Sequence, residues 1–188
     1  MSQGFTSLSN QFLIAMPSLE DPHFFHSVTY ICEHSDQGAM GIVINQPLDL
    51  HLGDALDQMK IPIASPAAAT QILFMGGPVQ AERGFVIHQP AGDWESSLQL
   101  SPDIAITTSR DILAAIAEGK GPMQTLVALG YAGWGPGQLE QEIIDNAWLH
   151  CPMDKAILFE QPTEKRWKAA ASSIGIDLNL LPQDSGHA

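Results

Sequence analysis

The sequence predicts an α+β fold: a single domain over residues 1–188, built on a mixed or mostly antiparallel sheet with three to four helices. Two observations carry this. Short β-like runs come in hairpin-like pairs and are not separated by helices one at a time, as a doubly wound parallel sheet requires. The chain also has 188 residues, 45% hydrophobic and 15% charged, with no repeat or low-complexity tract. That length and balance suit one globular domain whose core needs neither disulfide nor metal.

The elements follow in order. Phe12 to Met16 reads as a first strand, stopped by Pro17 and the turn-forming Glu20-Asp21-Pro22. Ser27 to His34 and Gly41 to Asn45 read as two strands of a hairpin, joined through Ser35-Asp36-Gln37-Gly38. Leu52, Leu56 and Met59 recur at helical spacing and predict a short helix, followed by a loop from Pro62 to Thr70. Ile72 to Met75 and Gly84 to Gln89 are strands flanking the tight Gly76-Gly77-Pro78. Leu98 to Leu100 and Ile104 to Thr107 form a further pair, broken at Ser101-Pro102.

Thr108 to Glu118 is the clearest helix, with Ile112, Leu113 and Ile116 as its apolar stripe and Gly119 as its stop. Thr108 and Asp111 have the spacing of a capping box. Met123 to Tyr131 reads as a buried strand leading into a glycine-rich loop, Gly130 to Gly137. A helix from Gln138 to Asp145, strands at Ala147 to His150 and Ala156 to Phe159, and a last helix from Pro162 towards Gly175 complete the chain.

Charge narrows the partners. The net charge is −13, and residues 1–109 hold two basic side chains, Lys60 and Arg83, against eleven acidic ones. Nucleic-acid binders gain much of their affinity by neutralising phosphates, so direct nucleic-acid binding is not expected. No apolar run approaches the ~20 residues of a membrane span. The stretch MSQGFTSLSNQFLIAMP lacks the basic n-region of a signal peptide, and two cysteines allow at most one disulfide. The expected location is cytoplasmic.

Four groups of residues could carry chemistry. In Tyr30-Ile31-Cys32-Glu33-His34, strand alternation puts Cys32 and His34 on one face and Glu33 on the other. A thiolate–imidazolium pair needs that proximity; the reading that cysteine's usual burial favours is a core Cys32 beside a histidine at a wetter strand end. Asp21, His23 and His26 read as turn and surface residues, and no zinc or calcium motif accompanies them. Gly130 to Ile143 has glycines before a helix, as anion-binding loops do. Yet it lacks the Lys and Ser/Thr of a P-loop, and Gln138 stands where a dinucleotide loop needs its third glycine. Arg83, near His88 and Gly76-Gly77-Pro78, either anchors an anion or pairs with one of the many carboxylates.

The blocks FLIAMPSLEDPHFFHSVTYICEHSDQGAMGIVINQP, GGPVQAERGFVIHQP, TTSRDILAAIAEGKGP and LGYAGWGPGQLEQEI closely resemble the YqgE/AlgH family of bacterial proteins. The resemblance continues through NAWL, the helix around Trp167, GID and the closing GHA. It implies a bent, barrel-like sheet and a cytoplasmic protein. It carries no catalytic roles. The regulator label of some members concerns alginate production and brings no DNA-binding motif.

The expectation is a non-enzymatic binding or regulatory protein that acts through a protein partner, without cofactor or metal. Its candidate binding residues are Arg83, His88, Gly133, Trp134, Gly135 and Gly137. The alternative is a thiol-dependent enzyme or redox sensor centred on Cys32 with His34. A third reading is a hydrolase using an anion loop at Gly133 to Gly137.

Overall fold

Among the described residues ten strands form one curled sheet with helices packed on both faces. A computed structural model describes residues 6–182; the first five residues of the N-terminal stretch and the closing Gly186-His187-Ala188 lie outside them. The strands are β1 (Gln11–Ala15), β2 (Val28–Ser35), β3 (Gly38–Val43), β4 (Pro47–His51), β5 (Ile72–Met75), β6 (Val79–Gln89), β7 (Ser97–Gln99), β8 (Ala105–Thr107), β9 (Gln124–Trp134) and β10 (Trp148–Pro152). Eight of them run in the order β10-β1-β2-β3-β9-β6-β8-β7, every neighbouring pair antiparallel. This path is a half-barrel. β5 joins β9 in parallel and carries β4 on its far side.

Alternation divides the apolar residues between the two faces. The inner face gives one cluster drawn from β1, β2, β3, β6, β8, β9 and β10, including Phe12, Tyr30, Cys32, Ile42, Phe85, Ile87, Ile106 and Cys151. Helix α5 (Arg166–Ser172) fills the concavity through Trp167, Ala170 and Ala171. The outer face carries two smaller clusters. Helices α1 (Leu52–Gln58), α2 (Pro66–Thr70) and α3 (Arg110–Ala117) cover Leu73, Val86 and Val127. Helix α4 (Gln138–Ile144) covers Leu13, Ile31, Ala132 and the Trp134 and Trp148 rings.

One glycine explains how β5 and β6 reach opposite sides of β9. The chain passes the main chain of Tyr131 at Gly77, where φ is +158° and a Cβ would lie 2.1 Å from the Tyr131 carbonyl carbon. Only glycine allows that approach.

The structure departs from the sequence reading at five places. Pro66–Thr70 is a helix and not loop, because Ser65 caps it by accepting from the Ala68 N–H and proline occupies its first turn. β4 was not expected. Ala156–Glu160 is a helical turn and not a strand, nucleated by Asp154, whose carboxylate accepts from the Ala156 N–H at 2.8 Å. β9 runs on to Trp134 through half of the expected loop. Helix α3 starts after Ser109, and Asp111 accepts from the Ser109 hydroxyl and the Glu95 N–H, so Thr108 is no cap.

Candidate functional site

The Tyr30–His34 segment is split by a β-bulge. Ile31 pairs with Gly41 but Glu33 pairs with Met40, so two residues of β2 oppose one of β3. Such a bulge puts consecutive side chains on the same side and reverses the alternation beyond it. Cys32 and Met40 both belong to the inner cluster, and Glu33 shares that face. His34 is thereby turned outward. There it pairs with Glu140 of α4 and accepts at Nδ1 from the Leu8 N–H at 2.8 Å.

Cys32 and His34 therefore point to opposite faces of β2, contrary to simple alternation, although both border one depression of about 690 Å³ beside the β2–β3 hairpin. Burial, helped by the charge of Glu33, pushes the Cys32 thiol well above its ordinary value, the opposite of what a nucleophile needs. Its Sγ–H points to the Tyr30 carbonyl at 3.6 Å. Cys151 is a free, buried thiol too. β1 lies between β2 and β10, which separates the two cysteines by about two strand spacings, ~10 Å. A disulfide needs Cα atoms within about 7 Å.

What the bulge does expose is Glu33, on one wall of an open cleft of about 810 Å³ on the inner face. Arg83 stands on the other wall, with Phe85, Tyr131, Met40 and Leu98 as its apolar lining. Phe85 and Ile87 belong to the inner cluster, and Arg83, just past a register irregularity between Val79 and Gly84, stands beside Phe85 in the cleft. The guanidinium lies 5.4 Å from the Phe85 ring centroid and donates to Gln80 Oε1 at 3.3 Å. Among the described residues no carboxylate pairs with it, Glu33 included. The expected alternative, pairing with an acidic neighbour, is not what the side chain does.

The other candidates divide between cleft and support. Gly133 pairs with Met40 and lines the cleft. Trp134 lines it too, but is 6% exposed. Its indole N–H and that of Trp148 both donate to Glu142 Oε1 at 3.0 Å. Trp134 thus belongs to the covered outer cluster, and most of its ring is unavailable to a partner. Gly135 gives its N–H to Gln138 Oε1 at 2.9 Å, and Gly137 is the left-handed residue that starts α4. With that N–H occupied and Glu140 in the first turn, this helix end is a poor anion site.

His88 is fully buried on the outer face. Its Nδ1–H donates to the Pro90 carbonyl at 2.9 Å, so Nε2 accepts from the Thr107 hydroxyl at 2.7 Å and Thr107 in turn accepts from Ser97. This chain ties β6, β8 and β7 together. Burial lowers the imidazole pKa, outweighing the opposing Pro90 carbonyl. His26 is stacked between the Phe25 and Trp167 rings, 3.8 Å from each. Among the described residues there is no group of three or more potential metal ligands and no helix long and apolar enough to cross a membrane.

Sequence reasoning missed Glu33 as a cleft residue, and missed Glu140 and Glu142 altogether. Glu33 was hidden by the bulge. The i, i+2 pair Arg83–Phe85 on a strand was the available signal for the opposite wall.

The AlgH-like family model matches residues 12–179. The chain belongs to the AlgH-like family. Its relatives include a UPF0301 protein of Thioalkalivibrio sulfidiphilus, 61% identical over 97% of this chain and 98% of that one. Another, from Hahella chejuensis, is 55% identical over the whole of both. The solution structure of the AlgH protein from Pseudomonas aeruginosa covers both chains fully at 50% identity, with a TM-score of 0.80. A Corynebacterium diphtheriae protein, at 20% identity and a TM-score of 0.73 over 96% and 93% of the two chains, shares the fold.

Proposed function

We propose that this member of the family is a cytoplasmic, non-enzymatic binding protein that acts through a protein partner, engaged at the inner-face cleft. The observation that carries this is Arg83. It is an exposed cation in an acidic chain, set over an aromatic ring in a cleft, with most of its N–H donors unused by protein. A guanidinium so placed suits a carboxylate brought by another molecule. The titratable side chains lining this cleft are Arg83, Glu33 and Tyr131; Cys32 and His34 border the adjoining depression, where burial raises the thiol pKa and His34 is engaged by Glu140 and the Leu8 N–H. The net charge of −13 favours a protein over nucleic acid.

Affinity capture with the wild-type chain and with Arg83→Glu tests the reading. A partner retained by the first and lost from the second is expected. Identical retention by both removes Arg83, and this cleft, from the function.

A further inference from the structure

We infer that the partner enters as an extended peptide segment that adds a strand to the free edge of β7 and presents a carboxylate side chain to Arg83. This rests on the binding reading above and names the form of the ligand.

Among the described residues β7 ends the strand order, with β8 as its one neighbour. The register decides where its main-chain groups point. Thr108 N–H donates to the Ser96 carbonyl at 3.0 Å, and Leu100 N–H to that of Ile104 at 2.8 Å. Hydrogen-bonded pairs alternate along an antiparallel ladder, so Leu98 also bonds β8 while the peptide groups of Ser97 and Gln99 face outward. Two N–H groups and two carbonyls, at a two-residue spacing, are what an added strand would pair with.

The surroundings match such an occupant. Leu98 opposes Ile106 of the inner cluster, so its side chain stands on the cleft side, 40% exposed. The hydroxyl of Ser97 is on the outer face with Thr107, which leaves its main chain to line the cleft. A second depression of about 690 Å³ adjoins the first and shares Glu33, Ala39, Met40, Leu98 and Trp134 with it. The two run together between β7 and the β2–β3 hairpin, and the second is also lined by Gln99 and Leu100 on the β7 side and by Cys32 and His34 on the hairpin side. Charge sets the sequence preference. Arg83 takes one carboxylate, and Glu33 across the groove repels a run of them. The edge is held ready by the His88–Thr107–Ser97 chain, and by the Ser96 and Glu95 N–H groups bound to Ser109 and Asp111.

The test is selection from a displayed library of peptides of about nine residues, enough to cover one strand, followed by fluorescence anisotropy with the selected peptides. Binders are expected to alternate apolar residues around a single Asp or Glu. Arg83→Ala should weaken them about tenfold or more, as loss of a buried charge-assisted contact does. Methylating the peptide amides that face β7 should do the same. So should Gln99→Pro, which deletes an outward N–H while leaving the β8 ladder intact. On binding, the Ser97 and Gln99 amides should become protected from hydrogen exchange. Peptides that bind through Arg83 but tolerate amide methylation and Gln99→Pro overturn strand addition and leave the binding reading standing. So does a library with no binder when the captured partner still depends on Arg83. Concentration-dependent dimerisation abolished by Gln99→Pro overturns it too, since the edge would then belong to a second copy of this chain.

Discussion

Two arginines in this chain lie over phenylalanine rings, and they are put to different uses. Arg166 sits 5.2 Å from the Phe74 ring centroid, 6% exposed, at the start of α5. Its Nη1 donates to the Ile44 carbonyl and its Nε to that of Gln161 at 3.1 Å. Burial pushes its pKa down to about 10, so it remains charged at neutral pH and is held by carbonyls that would otherwise be orphaned. Arg83 has nearly the same ring geometry, 5.4 Å from Phe85, yet it is exposed and, among the described residues, hydrogen-bonded only to Gln80. The ring stacking alone does not distinguish a structural arginine from a binding one. The count of satisfied donors does.

The largest effect should come from the structural side. Arg166→Ala opens a cavity and strips the Ile44 and Gln161 carbonyls of their donor, and should cost about 3 kcal/mol. Urea unfolding measures it; a small loss would mean that water replaces the guanidinium and that the two arginines are less different than their contacts say.

Next is His88, which holds the edge strand from behind. His88→Ala removes a buried ring and breaks the link from Pro90 to Ser97, at about 2 kcal/mol in the same assay. The pH dependence has a defined sign. With the folded pKa below the ordinary 6.5, the unfolded chain takes up its proton first as pH falls. Stability is therefore fully present above about pH 6.5 and is lost as pH falls through the folded pKa. His26, lowered by burial and by Lys168, adds in the same direction. His88→Phe should flatten part of this slope, and an unchanged profile would remove His88 as its source.

Cys32 gives a smaller effect still. Cys32→Ala should cost about 1 kcal/mol, as loss of one small buried group does, and leave partner capture unchanged. Native Cys32 should resist alkylation until the protein unfolds, by peptide mass spectrometry across pH. Fast native labelling would return the thiol to the candidate site and shift attention from the Arg83 wall to the bulge.

How much of this was legible beforehand depended on whether local pattern or long-range contact decides. The α+β class, the β2–β3 hairpin and helix α3 could be read because turn residues and apolar spacing are local signals. The bulge at Cys32–Glu33 could not. It is defined by register against β3, and one inserted residue sends Glu33 into the cleft and His34 to Glu140, 106 positions away. Trp134 misled for a similar reason. A tryptophan among glycines looks like an exposed loop contact, but β9 continues through it and Glu142 and Trp148 enclose it. Arg83 was visible as a rare cation, while the absence of a carboxylate partner among the described residues depended on where the folded chain sends its acidic side chains.

The most direct test of the division between the two arginines is the urea unfolding free energy of Arg83→Ala. A change below about 0.5 kcal/mol, typical of exposed positions without structural contacts, is predicted. A loss of about 2 kcal/mol or more would place Arg83 with Arg166, as part of what holds the sheet together, and leave the cleft without its anchor.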